Sequence, residues 1–265
     1  MEEKTSSDIE YKGHHWSKKK DSKIALEIYK ERYKDIYNKL NVKKIVNYID
    51  NDKSLNILDY GGGIGIVSVQ LAKNGHKVTL ADQSFEALKA AKLFCEEEGV
   101  LSSVEIVKCQ TASYNFQKKF DIIIAKDLIE HVIEDYQLIS DFHNSLVDGG
   151  SLIMTTQNSF SLNYIIEGTI RKIIHPKTKW LGWDRTHIRF YTPSSLKKIL
   201  SKNKFKNIHY RSTYIFPYKL IDLFFQRIFR IKKTTFLWRI DWLLHKSKLF
   251  SRAGWNIMVI SKKVK

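Results

Sequence analysis

The chain has 265 residues, and its 45 Lys and Arg against 28 Asp and Glu give a formal net charge of +17. That length bounds it to one domain with additions, or at most two, and a composition 43% hydrophobic and 12% aromatic excludes wholesale disorder. Cys95 and Cys109, without CxxC spacing, exclude a disulfide framework.

Residues 1–22 read as a polar, charged arm interrupted by His14, His15 and Trp16. Its start, MEEKTSSDIE, lacks the basic-then-apolar order of a secretory signal. With so few cysteines, the expected location is cytoplasmic, with membrane association as an addition. Residues 23–49 have a helical period, with Ile24, Ile28, Tyr33, Ile36, Tyr37, Leu40, Ile45 and Ile49 recurring at three- to five-residue steps. LNILDY, 55–60, is then a short apolar run ending in an acid, followed at once by glycines. A helix over 67–75 closes at Gly75. HKVTLAD, 76–82, is a second strand ending in an acid, and a helix over 84–99 opens on Ser84 and ends at Gly99. VEIVKC, 104–109, and FDIIIAKD, 120–127, are strands, the latter apolar enough to be covered on both faces. A helix over 134–150 ends at a glycine pair, and SLIMTT, 151–156, is the fifth strand.

Strands alternating with helices imply right-handed crossovers and a parallel sheet, with ligands beyond the strands' carboxyl ends. The later chain is looser. A helix spans 161–174, and Thr192 and Pro193 open another running to about Asn203. Residues 205–215 and 255–263 are two late strands. Between them lies a basic aromatic segment, 216–253. Its Leu220, Phe224, Ile228, Leu237, Ile240 and Leu244 recur at helical steps, and Trp238 and Trp242 lie one turn apart. No run of ~18 uncharged apolar residues exists to span a bilayer. The segment reads as a membrane-surface element, with a cover over an acceptor pocket, a nucleic-acid contact or a plain solvated helix pair as alternatives.

The strongest local signal is LDYGGGIG, 58–65. Gly61, Gly63 and Gly65 follow a strand and open a helix, permitting a tight turn and close approach of a ligand. The spacing is GxGxG, and Ile66 stands where a dinucleotide loop has its last glycine. Asp59 would repel a pyrophosphate and suit a cationic amino-acid ligand. Asp82 ends the second strand, where a carboxylate accepts hydrogen bonds from a ribose diol. Residues 55–160 thereby resemble the class I S-adenosylmethionine-dependent methyltransferases. ILDYGGGIG is similar to their first motif, VTLADQS to the second, and FDIIIAKDLIEHV and LVDGGSLIMTT to the fourth and fifth strands. The resemblance implies an α/β Rossmann-like fold. Its seven-stranded sheet is mostly parallel, with helices on both faces and an antiparallel last strand. It divides the chain into an arm and helix, 1–50, and a methyltransferase domain, 51–265, with a cap at 158–193 and the insertion at 216–253. It implies that Gly61, Gly63 and Gly65 lie against S-adenosylmethionine, with Asp59 orienting the loop or the amino group. Asp82 would hold the ribose, Thr111 and Ala112 stand at the adenine, and Gln83 and Lys126 are further cofactor-binding positions.

Asp127, Glu130 and His131 follow the fourth strand. If that turn is helical, they share one face and make a divalent-metal site with open positions. AKDLIEHV resembles the ExxEH motif of the ubiquinone-biosynthesis O-methyltransferases and of the small-RNA 3′-end 2′-O-methyltransferases, with Asp127 one methylene shorter than the family's Glu. The latter group implies metal binding by these side chains, with His187 as fourth ligand and Mg²⁺, Mn²⁺ or Zn²⁺ as the ion. Without metal, His131 or His187 is the candidate general base. In WDRTHIRFYTP, 183–193, Trp183, Asp184, Phe190 and Tyr191 can line an acceptor pocket. Arg185 and Arg189 can grip an anion, or pair with Asp to pack the cap. The expected activity is O-methylation of a small or lipid-linked metabolite. RNA methylation is the first rival and a catalytically silent subunit of the same fold the second.

Overall fold

The computed structural model describes residues 22–109, 116–174, 176, 180, 184, 186–229, 235–245 and 247–264. In chain order the helices and strands are α1 (Ser22–Lys34), α2 (Ile36–Val46), β1 (Asn56–Tyr60), α3 (Ile66–Lys73), β2 (Lys77–Asp82), α4 (Phe85–Glu97), β3 (Val104–Lys108), β4 (Phe120–Lys126), α5 (Asp135–Ser145), β5 (Leu146–Gln157), α6 (Leu162–Ile174), α7 (Pro193–Lys202), β6 (Phe205–Thr213), α8 (Tyr218–Phe229), α9 (Thr235–Leu244) and β7 (Asn256–Lys263). The sheet order is β3-β2-β1-β4-β5-β7-β6, and only β7 runs antiparallel to its neighbours.

Burial on both faces explains the near-continuous apolar strands. In β4, Ile122 and Ile124 enter one core with α1 to α4, while Ile123 and Ala125 enter the other with α5 and α7. Each fully buried Ile or Leu contributes about 1.5–3 kcal/mol, so the two cores fix the sheet and hold its strand tips together at one end. The expected sheet and its antiparallel ending are both present.

Two elements differ from expectation. The single helix over 23–49 is two, because Asp35 caps the second: its Oδ2 accepts from the Tyr37 N–H at 3.0 Å. The helix expected to end at the glycine pair stops at Ser145. Leu146 is buried and pairs with Phe120, and the register then shifts to Ile122 opposite Ser151. Gly149, with φ 79°, takes up that irregularity inside β5. The other predicted caps hold: the Ser84 hydroxyl accepts from the Ala87 N–H, and Thr192 and Ser195 form a reciprocal box at α7.

Candidate active site

At the tip of β1 the chain turns through Gly61, Gly63 and Gly65, all with positive φ. The Gly61 N–H donates to the Ala81 carbonyl at 2.7 Å, which holds the loop against β2. A Cβ on Gly62 would lie 2.2 Å from Leu80 Cδ1 and 2.8 Å from Asp59 Cγ, so the loop is pressed onto the strands below. Asp82 secures it from the other side: Oδ2 accepts from the Gly63 N–H and Oδ1 from the Ser84 N–H, both at 2.9 Å. Burial raises the Asp82 pKa, and these amides oppose the shift. Gln83 sits beside Asp82, half-buried.

Asp59 is placed under the loop. It is buried, and its Oδ2 accepts from the Ser68 hydroxyl at 2.7 Å. Burial pushes its pKa up to about 6, against the Ser68 hydrogen bond and the Lys126 charge. Gln110, Thr111 and Ala112 lie outside the described residues, as do His14, His15, Trp16, Trp183 and Arg185.

Beyond β4 the structure sorts the predicted cluster. Glu130, His131 and His187 offer ligand atoms that all lie within 4.8 Å of one another. Asp127 is not in that group. The turn after β4 is not an α-helix: Asp127 has φ 49°, and Ile129–His131 is a single 3-10 turn. The Asp127 carboxylate instead accepts from Lys126 Nζ at 2.7 Å, the Thr155 hydroxyl at 2.8 Å and Asn256 Nδ2 at 2.9 Å. Those donors, chiefly the Lys126 ammonium, hold it down at about 2 against the opposing pull of burial. Lys126 is thereby committed to Asp127, with its ammonium over the Tyr33 ring at 5.7 Å.

Glu130 is fully buried, and neither carboxylate oxygen has a formed hydrogen bond. Burial, then the Asp127 charge, pushes it up to about 8, with His187 opposing. The Thr156 hydroxyl nearby opposes the shift without forming a full hydrogen bond, and a buried carboxyl so weakly served is costly when ionised, so the group is poised for a cation or a proton. His131 is oriented from its far side. The Thr186 hydroxyl donates to Asp184 Oδ1 at 2.7 Å, leaving its lone pairs toward His131 Nδ1 at 3.1 Å; the Thr186 carbonyl lies 3.3 Å away. Both neighbours of Nδ1 are acceptors, so Nδ1 carries the hydrogen and Nε2 is the basic nitrogen. The Ile188 N–H donating to the Glu130 carbonyl at 3.0 Å ties the two segments together.

Arg189 is a structural residue: Nη1 donates to Asp135 Oδ2 and Nη2 to the Ile133 carbonyl, each at 2.7 Å. Tyr191 donates to the same Asp135 oxygen at 2.7 Å. The packing reading of the cap is therefore the one realised there. Above the strand tips, Tyr164, Trp180, Phe190 and Trp255 form an aromatic wall, with Phe190 6.0 Å from the His187 ring. Trp238 belongs to the neighbouring packing, stacked on Tyr218 at 4.0 Å, and Trp242 stacks on His245.

Sequence reasoning missed Thr155, Thr186, Asp135 and Asn256, for which no local signal exists. Lys44 did leave one, an Asn41–Lys44 pair on the same helix face as buried Ile45.

A glycine loop under a β2 carboxylate, in this strand order, is the arrangement of a class I S-adenosylmethionine-dependent methyltransferase. The chain belongs to the methyltransferase-domain family, whose profile matches residues 27–210. It is 27% identical over 164 residues to the ubiquinone biosynthesis O-methyltransferase of Rickettsia canadensis, covering 60% of this chain and 66% of that protein. It is 28% identical over 112 residues to the tRNA 5-carboxymethoxyuridine methyltransferase of Escherichia coli, covering 42% and 43%. The match thus spans under two-thirds of these relatives' length. Among solved folds, the Haemonchus contortus phosphoethanolamine N-methyltransferase 2 in complex with S-adenosyl-L-methionine superposes with a TM-score of 0.58 at 20% identity, over 86% of this chain and 53% of that one. Magnesium protoporphyrin IX methyltransferase from Synechocystis gives 0.55 at 16% identity, over 84% and 82%.

Proposed function

We propose that the protein transfers the methyl group of S-adenosylmethionine to a hydroxyl of a small or lipid-linked acceptor. The observation that supports this most is the grouping of a fully buried carboxyl, Glu130, with two histidines beside the cofactor strands. The cofactor lies across Gly61–Gly65, its ribose hydroxyls toward Asp82 and Gln83. The acceptor enters between the histidines and the Tyr164–Phe190–Trp255 wall, which suits a planar, apolar body. Its oxygen attacks the methyl carbon in line, the carbon–sulfur bond breaks, and the sulfonium charge is neutralised, so positioning in a dry site supplies most of the effect. His131 Nε2, with the tautomer that Thr186 and Asp184 impose, takes the hydroxyl proton.

The donor set of one carboxylate and two imidazoles also fits a divalent cation, Mg²⁺, Mn²⁺ or Zn²⁺, held by Glu130, His131 and His187. Such an ion would lower the pKa of the acceptor hydroxyl. RNA methylation is the second reading, favoured by the +17 charge and the tRNA-modifying relative. The test is mass spectrometry of cell extract incubated with pure protein and labelled methyl donor, with and without chelator. Labelled hydroxylated metabolites support the first reading and labelled RNA the second. Turnover indifferent to chelator removes the ion.

A further inference from the structure

The helix α6 is built inside out. At 100° per residue, Asn163, Tyr164, Glu167 and Gly168 share the side that faces the protein. Asn163 is buried there, its amide donating to the Tyr214 carbonyl at 2.9 Å, and Gly168 packs under Trp180. The opposite side carries exposed aliphatics: Leu162, Ile165 and Ile173, the last 75% accessible. A helix that only packed on the sheet would reverse this pattern. The helices α8 and α9 sit on the same aromatic cluster through Tyr218, Leu237 and Trp238. They too turn apolar residues outward: Phe224 and Ile228 on α8, Leu243 on α9 at 78% accessible. Soluble surfaces carry exposed aliphatics singly, not repeated on three helices that share one aromatic cluster.

The charge around these residues selects the occupant. Lys172, Arg227, Arg239 and Lys248 are all exposed on or beside the same helices. A second copy of a +17 chain would bring like charges together at the rim. A nucleic acid would match the charge but leave isoleucines in water, since aliphatic side chains offer it neither stacking nor hydrogen bonds. Only an anionic phospholipid surface satisfies both the basic rim and the aliphatic ridge. We propose that the outward face of α6, continued by α8 and α9, seats the protein on an anionic bilayer. Because the inward face of α6 carries Tyr164 of the aromatic wall, the bilayer would lie one helix diameter, about 10 Å, from the acceptor cleft. That last step rests on the acceptor reading above; the docking itself does not.

The test is flotation of the full chain with vesicles of phosphatidylcholine, alone or with one-third phosphatidylglycerol, needing neither methyl donor nor acceptor. The wild type should float with the mixed vesicles, less so at high salt, and not with phosphatidylcholine alone. The Ile165→Ser/Ile173→Ser double variant should bind roughly tenfold or more weakly with an unchanged thermal melt. Failure of the wild type to float with mixed vesicles overturns the proposal, as does a double variant that floats equally well. Dimers that the double substitution abolishes, in a protein that ignores vesicles, would assign the face to a second copy instead. Methyl transfer assayed on a soluble acceptor reports separately on the catalytic reading.

Discussion

Glu130→Gln should make the metal-free protein more stable and less active at once. The carboxyl is fully buried without formed hydrogen bonds, and its pKa is raised from 4.5 to about 8. Between those two values the unfolded chain releases the proton while the folded chain keeps it, so the unfolded state is favoured as pH rises. Glu130's contribution to stability is therefore fully present below about pH 4.5 and is lost progressively up to about pH 8. Each pH unit in that window costs up to about 1.4 kcal/mol, hence on the order of 2–3 kcal/mol between pH 5.5 and 7.5. Glutamine has the same shape and does not titrate, so the variant escapes this loss. At roughly 2–4 °C per kcal/mol for a domain of this size, its melting temperature should rise relative to wild type by about 5–10 °C between those two pH values. The assay is a thermal melt of both proteins in chelator at each pH. Added Mn²⁺ should then raise the wild type alone. A gap between the two proteins that does not widen with pH would refute the placement of a proton on Glu130.

Other perturbations probe the cofactor and base. Asp82→Ala should weaken S-adenosylmethionine binding at least tenfold, on the order of 1.4 kcal/mol, by calorimetry; unchanged affinity removes its ribose role. Gly62→Ala forces a Cβ to 2.2 Å from Leu80 Cδ1 and should cost about 1–3 kcal/mol of stability; a melt like wild type would show that the loop yields. Thr186→Val removes the acceptor that orients Nδ1 of His131. It should lower kcat by roughly tenfold or more with little change in KM for the methyl donor, and shift the ring's nitrogen chemical shifts toward a tautomer mixture. Identical nitrogen spectra would separate Thr186 from the base.

Local signals made the fold legible. The glycines after β1, the acids at the tips of β1 and β2, and the apolar run of β4 are each contained within a few residues, and each lies where its pattern put it. The boundary errors come from long-range pairing. Nothing near Gly149–Gly150 announces that Phe120 will claim Leu146 and draw the chain into β5 early. Short spacing puts Glu130 and His131 together, whereas His187, distant in the chain, is reached only through the family resemblance. Arg189 finds Asp135 across 54 residues of chain, and its ion pair shows no trace in the local pattern. Trp238 and Trp242 share a helix side, but periodicity gives the side and not what lies against it; Tyr218 and His245 decide that.

The displacement of Asp127 from the cluster has a structural cause reaching back to α2. Lys44 is completely buried there, and its ammonium meets only neutral oxygens, the nearest being Asn256 Oδ1 at 2.9 Å and Thr213 Oγ1 at 3.1 Å. Burial lowers it to about 7. Because Asn256 accepts from Lys44 through its oxygen, its amide nitrogen is turned toward Asp127 Oδ1. Asp127 is then claimed by Lys126, Thr155 and Asn256 together, and its backbone takes the left-handed turn that an Asp tolerates better than most residues. An acid at this position is thus spent on joining α2, β4, β5 and β7 at the strand tips. That junction fixes the start of the turn from which Glu130 and His131 project.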